Sequence, residues 1–183
     1  MGIDAMRPPA VFLDRDGVVN RAIVRADKPY PPASVDEVEI PPDVAPALVR
    51  LKAAGYRLVV VTNQPDVARG RQTRTVVEAI NAALSSRLPL DEVRVCYHDD
   101  EDRCGCRKPE PGLLLETPEH DLARSVMVGD RWRDLEAGRR AGVRATVLLG
   151  HGYGERLRDE PDFRAESFAE ATDWILSLDR RAE

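Results

Sequence analysis

Ala10-Val11-Phe12-Leu13-Asp14-Arg15-Asp16-Gly17 sets two carboxylates, two residues apart, directly after an apolar run. Four such residues are enough for a buried strand, and in open α/β sheets the chemistry lies beyond the carboxyl ends of such strands. Gly17 lets the backbone turn there. At that address Asp14, held beside a cation, can attack an electrophile while Asp16 moves a proton to the leaving oxygen. Taken alone, D-x-D-G also reads as an ordinary turn, because Asp and Gly are common turn formers.

Three later segments add weight to the chemical reading. Arg57-Leu58-Val59-Val60-Val61-Thr62-Asn63-Gln64 is a second buried-type strand ending in a hydroxyl and two amides. Thr62 Oγ1 and the Asn63 N–H can hold phosphate oxygens, or simply cap a turn. Arg107-Lys108-Pro109 puts two cations beside a proline that stops any helix. Ser125-Val126-Met127-Val128-Gly129-Asp130 is a strand followed by glycine and an acid, with Asp134 one helical turn later. Asp134 can join a hard-cation site or pair with Arg131 or Arg133; a supporting or helical role is expected of it.

This order of motifs, from residue 10 to about 150, resembles the haloacid dehalogenase superfamily of phosphatases. The resemblance implies Asp14 as the nucleophile that carries an aspartyl phosphate, and Asp16 as the acid and base. It implies Mg²⁺ held by the Asp14 and Asp130 side chains and the Asp16 carbonyl, with Thr62 and Lys108 on the phosphoryl oxygens. Mg²⁺ binds through few carboxylates plus phosphate and water, and phosphoryl transfer depends on positioning and charge neutralisation, which agrees with that assignment. Val18 stands where the family usually has threonine, and a packing role is expected of it.

Cys96-Tyr97-His98 is followed after five residues by Cys104-Gly105-Cys106, so all three cysteines fall in one eleven-residue window. Four Cys or His ligands suit a closed, structural Zn²⁺ site. A disulfide or unrelated thiols are the alternatives, but Cys104 and Cys106 are too close for an unstrained bridge, and no secretory signal is recognisable. The loop runs directly into Lys108. Within the superfamily, CxH(x5)CxC followed by the Cys106-Arg107-Lys108-Pro109 stretch resembles the subgroup of D-glycero-D-manno-heptose 1,7-bisphosphate and histidinol-phosphate phosphatases. Residues 62–70 and 108–114 resemble the TNQxxxARG and KPxPGxL stretches of the heptose side, whereas the short zinc loop also occurs on the histidinol side. The heptose substrate is favoured, with Asn63, Arg69 and Arg107 expected to contact it.

At 183 residues, 43% hydrophobic and 32% charged, the chain is expected to form one domain, residues 1–183, with a core at about 10–150 and a C-terminal extension at 151–183. The net charge of −5 and the lack of a basic run argue against nucleic acid. Leu58–Val61 is the longest aliphatic run, too short to span a bilayer. A cytoplasmic monomer acting on a small phosphorylated substrate is expected. Residues 1–9 read as disordered. Residues 21–42, with five prolines from Pro29 to Pro42, read as a long loop folded over the site. Strands are expected at 10–13, 57–64, 93–97, 125–128 and 145–149. Helices are expected at 43–54, from Thr73 to about 88, at 111–116 or as far as 120, at 131–141 and at 166–178. The alternation predicts an α/β fold, a Rossmann-like three-layer sandwich with a parallel sheet, no large cap domain and a zinc-binding loop. Gly150, Gly152 and Gly154 lack the strand-to-helix context of a dinucleotide fingerprint. His120 and His151 are assigned core or surface roles, and Trp132 a packing role or a place at the pocket mouth.

Two rivals remain at this stage. A catalytically silent, zinc-stabilised binding module would be expected to have lost a member of the Asp14, Asp16, Thr62, Lys108 and Asp130 set. A sugar-phosphate mutase would need a water-excluding cap, for which the chain has no room.

Overall fold

In the computed structural model, which describes residues 7–26, 28–116 and 118–180, Ala10–Leu13 forms β1, with all four side chains buried. The apolar run fits a central strand covered on both faces. On one side of it lie β4 (Arg57–Asn63) and then β5 (Glu92–Cys96). On the other lie β6 (Val126–Gly129), β7 (Ala145–Leu149) and β8 (Phe163–Ala165), all six strands being parallel. Chain order reverses at β1, and a crevice forms beyond the carboxyl ends at such a switch point. Leu13 pairs with Val60 on one flank and Val128 on the other. The register therefore delivers Asp14, Thr62 and Asp130 to one edge.

Helices α1 (Val44–Ala53), α2 (Arg74–Arg87) and α5 (Phe168–Arg180) cover one face; α3 (Gly112–Leu115) and α4 (Trp132–Ala141) cover the other. Helix α1 buries Val44, Ala47, Leu48 and Leu51, one stripe at helical spacing. Thr73 Oγ1 accepts from Val76 N at 3.3 Å and starts α2, as its place before the apolar stripe requires. The helix expected from Pro111 onward is a single turn. Buried Arg94 of β5 holds that turn by donating to Leu113 O at 2.8 Å, and it pairs with Glu92 at 2.8 Å. His120 is buried against Arg94 and the edge of Phe12, while His151 is exposed.

Three expectations need correction. Strand β8 was not anticipated, because three residues carry no periodic signal; its place is set when Asp162 Oδ2 accepts from Thr146 N at 2.7 Å. Phe163 of β8 stacks on Trp174 of α5 at 5.0 Å, so residues 163–180 complete the sheet and its cover. Of residues 1–9, expected to be disordered, 1–6 lie outside the described residues. Pro8 O and Pro9 O accept backbone hydrogen bonds from Asp121 and Arg57, so that lead-in is fixed. Segment 21–42 is also not wholly loop: β2 (Ile23–Arg25) and β3 (Lys28–Tyr30) form an antiparallel hairpin, and Val35–Glu37 makes a 3-10 turn. Its neck is closed by Arg21 N to Glu39 O at 2.8 Å and Arg21 Nε to Glu39 Oε1 at 2.6 Å. No described helix is long and apolar enough to cross a membrane.

Candidate active site

Asp14 follows β1 directly, its N–H donating to Val128 O at 3.0 Å. Lys108 Nζ lies 2.6 Å from Asp14 Oδ1 and 2.6 Å from Asp134 Oδ1. Asp130, one residue beyond β6, accepts from the Tyr153 hydroxyl on Oδ2 at 2.7 Å. Its Oδ1 is buried and has no hydrogen-bond partner among the described residues. One oxygen each from Asp14, Asp130 and Asp134 lies within 4.8 Å of the others. Gly17 is obligatory here: its φ is +96°, and a Cβ would stand 1.8 Å from Asp130 Oδ2.

Three carboxylates around one lysine leave the cluster short of positive charge. Burial, reinforced by Asp134 and Asp16, lifts the Asp14 carboxyl to about 7 against the pull of Lys108. Burial and then Asp14 and Asp134 push Asp130 well above the usual carboxylate range. Burial works against the Lys108 charge, but Asp134 and Asp14 outweigh it and hold its pKa above the usual lysine value. A hard divalent cation supplies the missing charge and takes oxygen ligands, and the orphaned Asp130 Oδ1 is such a ligand, so these residues fit Mg²⁺. Asp134, assigned a supporting role from sequence, touches the lysine directly.

Asp16 accepts from Gln64 Nε2 at 2.8 Å, Asn20 Nδ2 at 3.0 Å and Arg15 Nη2 at 3.0 Å. Arg15 is itself fully buried and held by Asn81 Oδ1 at 2.9 Å. Gln64 Nε2 also reaches Thr62 Oγ1 at 2.9 Å, coupling the two predicted site residues. The Asn63 side chain is engaged by the Lys108 backbone instead of facing the cavity as a free amide. Val18 is buried in the core beneath the turn.

Asp14, Asp16, Thr62, Asn63 and Lys108 line a cavity of about 610 Å³, with Lys28, Tyr30 and Pro31 of segment 21–42 on one wall. Arg69 and Arg107 line it too, as does Arg133, which the sequence offered only as a partner for Asp134. Arg69 Nε donates to Asp99 Oδ2 at 2.7 Å. Arg107 Nε and Arg133 Nη1 each donate to Asp100 Oδ1 at 2.9 Å, and chiefly Arg107 brings the Asp100 carboxyl down to about 2. Trp132 lies outside the cavity lining, with the Arg133 and Arg158 guanidinium groups 5.1 and 4.5 Å from its ring.

Cys96, His98, Cys104 and Cys106 converge at the end of β5, with one donor atom each within 4.8 Å of the others. The S–S separations are 3.3–3.7 Å, and Nδ1 of His98 lies 3.6 and 3.3 Å from two of the sulfurs. A tetrahedron with Zn–S bonds of about 2.3 Å has S–S edges of roughly 3.8 Å, close to these spacings. Burial opposes ionisation of Cys104, yet hydrogen bonds from the Arg107 backbone and the Cys106 thiol bring it down to about 7. Ligand type and spacing thus fit a closed zinc site.

The family model described as "HAD-hyrolase-like" matches residues 105–171. The D-glycero-beta-D-manno-heptose-1,7-bisphosphate 7-phosphatase of Salmonella typhi is 35% identical, over 92% of this chain and 90% of that protein. The enzyme of the same name from Helicobacter pylori is 36% identical, over 76% of this chain and 83% of that one. Among solved structures, D,D-heptose 1,7-bisphosphate phosphatase from B. bronchiseptica, complexed with magnesium and phosphate, aligns with a TM-score of 0.79 at 32% identity, covering 93% of this chain and 99% of that chain. The Burkholderia thailandensis enzyme of that name gives 0.66 at 27%, covering 92% and 99%. The chain belongs to the haloacid-dehalogenase-like phosphatases, beside the heptose-bisphosphate phosphatases.

Proposed function

We propose that this phosphatase removes the 7-phosphate of D-glycero-β-D-manno-heptose 1,7-bisphosphate through a phosphoryl group carried on Asp14. The observation that carries the reading is Lys108 Nζ at 2.6 Å from Asp14 Oδ1, beside an Asp130 oxygen that is buried and unpartnered among the described residues. The Asp14 carboxylate attacks phosphorus, and Asp16 gives a proton to the departing sugar oxygen. Asp16 then takes a proton from the water that cleaves the phospho-Asp14 bond. Arg15, Asn20 and Gln64 fix the Asp16 carboxyl for both halves. Thr62 Oγ1, the Asn63 N–H and Lys108 bind the phosphoryl oxygens, the lysine also screening Asp14 from an anionic substrate. Mg²⁺, held by Asp14, Asp130 and the Asp16 carbonyl, supplies charge neutralisation at the phosphoryl group.

Arg107 and Arg69 at the cavity rim bind the far end of the substrate, where a guanidinium fork suits a second phosphate. Cys96, His98, Cys104 and Cys106 hold a structural Zn²⁺ that fixes the segment leading to Lys108. Cysteines kept as metal ligands and not as disulfides suit a reducing compartment, which supports a cytoplasmic location. Residues 1–183 act as a single-domain monomer, and the net charge of −5 disfavours a nucleic-acid partner.

The test is Mg²⁺-dependent phosphate release from the heptose bisphosphate, histidinol phosphate and fructose 1,6-bisphosphate, compared as kcat/KM. A preference of roughly 100-fold for the heptose compound, about 2.7 kcal/mol of discrimination, is expected. A preference for histidinol phosphate refutes the substrate. Full turnover by Asp14→Asn refutes the nucleophile.

A further inference from the structure

The turn after β7 runs through left-handed backbone at Gly150, Gly152, Tyr153 and Gly154, with φ of +72°, +68°, +51° and +69°. Glycine adopts this conformation freely; a tyrosine is strained in it, and strain of this kind persists where surrounding contacts require it. Here the turn carries the Tyr153 ring into the wall of the catalytic cavity and its hydroxyl to 2.7 Å from Asp130 Oδ2. The same hydroxyl lies 3.0 Å from where a Gly17 Cβ would stand, so the bare glycine leaves it room. An Arg131–Glu155 ion pair fastens the turn to the residue that follows Asp130. The three glycines around Tyr153, which match no nucleotide fingerprint, thus serve to deliver one phenol to one carboxylate.

We propose that Tyr153 is a positioning residue for the divalent cation. Its hydroxyl fixes Oδ2 of Asp130 and leaves Oδ1, buried and unpartnered among the described residues, for the metal. This rests on the reading of Asp130 as a cation ligand. A carboxylate turns about its Cβ–Cγ bond, and a hydrogen bond on one oxygen stops that rotation before the ion arrives. Partners that orient metal ligands in this way are typically worth about 10- to 100-fold in metal affinity. The opposite role is a hydroxyl that occupies the ligand oxygen and must leave when the ion binds, which would weaken cation binding.

Tyr153→Phe keeps the ring and removes the donor. Titration calorimetry with Mg²⁺ on the zinc-loaded full-length protein is expected to show about tenfold weaker binding in the variant. The Mg²⁺ concentration for half-maximal phosphate release should rise in parallel, with the substrate KM at saturating Mg²⁺ unchanged. Equal or tighter Mg²⁺ binding overturns the proposal. Glu155→Gln loosens the same turn but spares the hydroxyl, and is expected to bind Mg²⁺ as the parent does; a matching tenfold loss there assigns the effect to the turn and overturns the role of the phenol. A parent protein that binds no Mg²⁺ overturns the cation site and this proposal with it, whereas a binding parent with an unaffected Phe variant overturns this proposal alone.

Discussion

Asn63 and Lys108 exchange hydrogen bonds in both directions, Asn63 Nδ2 donating to Lys108 O at 3.0 Å and Lys108 N to Asn63 Oδ1 at 3.1 Å. The end of β4 thereby holds the backbone of the lysine that touches Asp14. Asn63→Ala releases that backbone and lets Nζ drift from the phosphoryl site. A fall in kcat of about 10- to 100-fold is expected, since misplacement of an ångström at a reacting group costs that much. Mg²⁺ affinity and zinc content should not change, and steady-state kinetics with metal analysis checks both.

Asp14→Asn should abolish turnover, by roughly 10³-fold or more, because the amide cannot take the phosphoryl group. The same change should raise the melting temperature of the Mg²⁺-free protein at about pH 8, where three acids crowd one lysine. In the parent, the Asp14 carboxyl titrates near 7 in the fold and at about 4 when unfolded. The fold therefore binds the extra proton between those values. Stability without Mg²⁺ falls as pH rises through that window and reaches its lower level above about 7. Mg²⁺ should widen its stabilising effect over the same range, which melting curves with and without the ion will show.

Asp100 bridges Arg107 and Arg133 at the cavity rim, both at 2.9 Å. A second phosphate must compete with that carboxylate for the two guanidinium groups. Asp100→Asn should lower the KM for a bisphosphate several-fold, on the order of the 1 kcal/mol typical of an exposed ion pair. A monophosphate of the same sugar should show little change. Kinetics on the matched pair of substrates distinguishes the two effects.

Zinc removal, verified by metal analysis, should lower the melting temperature by about 10 °C, equivalent to a few kcal/mol for a chain of this size. Activity should fall with it, because Cys106 stands two residues before Lys108. Re-addition of zinc should restore both. Unchanged melting after verified zinc loss refutes a structural metal at Cys96, His98, Cys104 and Cys106.

The strand ends at Asp14, Thr62 and Asp130 were legible because each motif is local: an apolar run and the polar residue that follows it. The Cys96, His98, Cys104 and Cys106 cluster was legible for the same reason, three thiols and an imidazole within eleven residues. Strand β8 was not, since Phe163, Arg164 and Ala165 become a strand only by pairing with β7. Tyr153 was invisible because its route to Asp130 depends on left-handed backbone at four positions, a property of the fold around it. Arg15 was given no role from sequence, and its burial, with bonds to Asn81 and Asp16, gives it one. Asp134 was seen, but its contact with Lys108 crosses from helix α4 to a loop that no helical spacing could foretell.

The pinched neck at Arg21 and Glu39 closes residues 22–38 into a loop of their own, tied to the body by Val38 against the core and by Gln72 Nε2 donating to Ala33 O at 3.3 Å. Its two ends already meet at 2.8 Å, so a segment of different length can be spliced in at little extra closure entropy, roughly 0.6 kcal/mol for each doubling. Strand β1 and the acids beyond it would not feel the exchange. The wall that Lys28, Tyr30 and Pro31 lend to the cavity can therefore be rewritten in one contiguous stretch of sequence while the residues at the strand ends stay fixed.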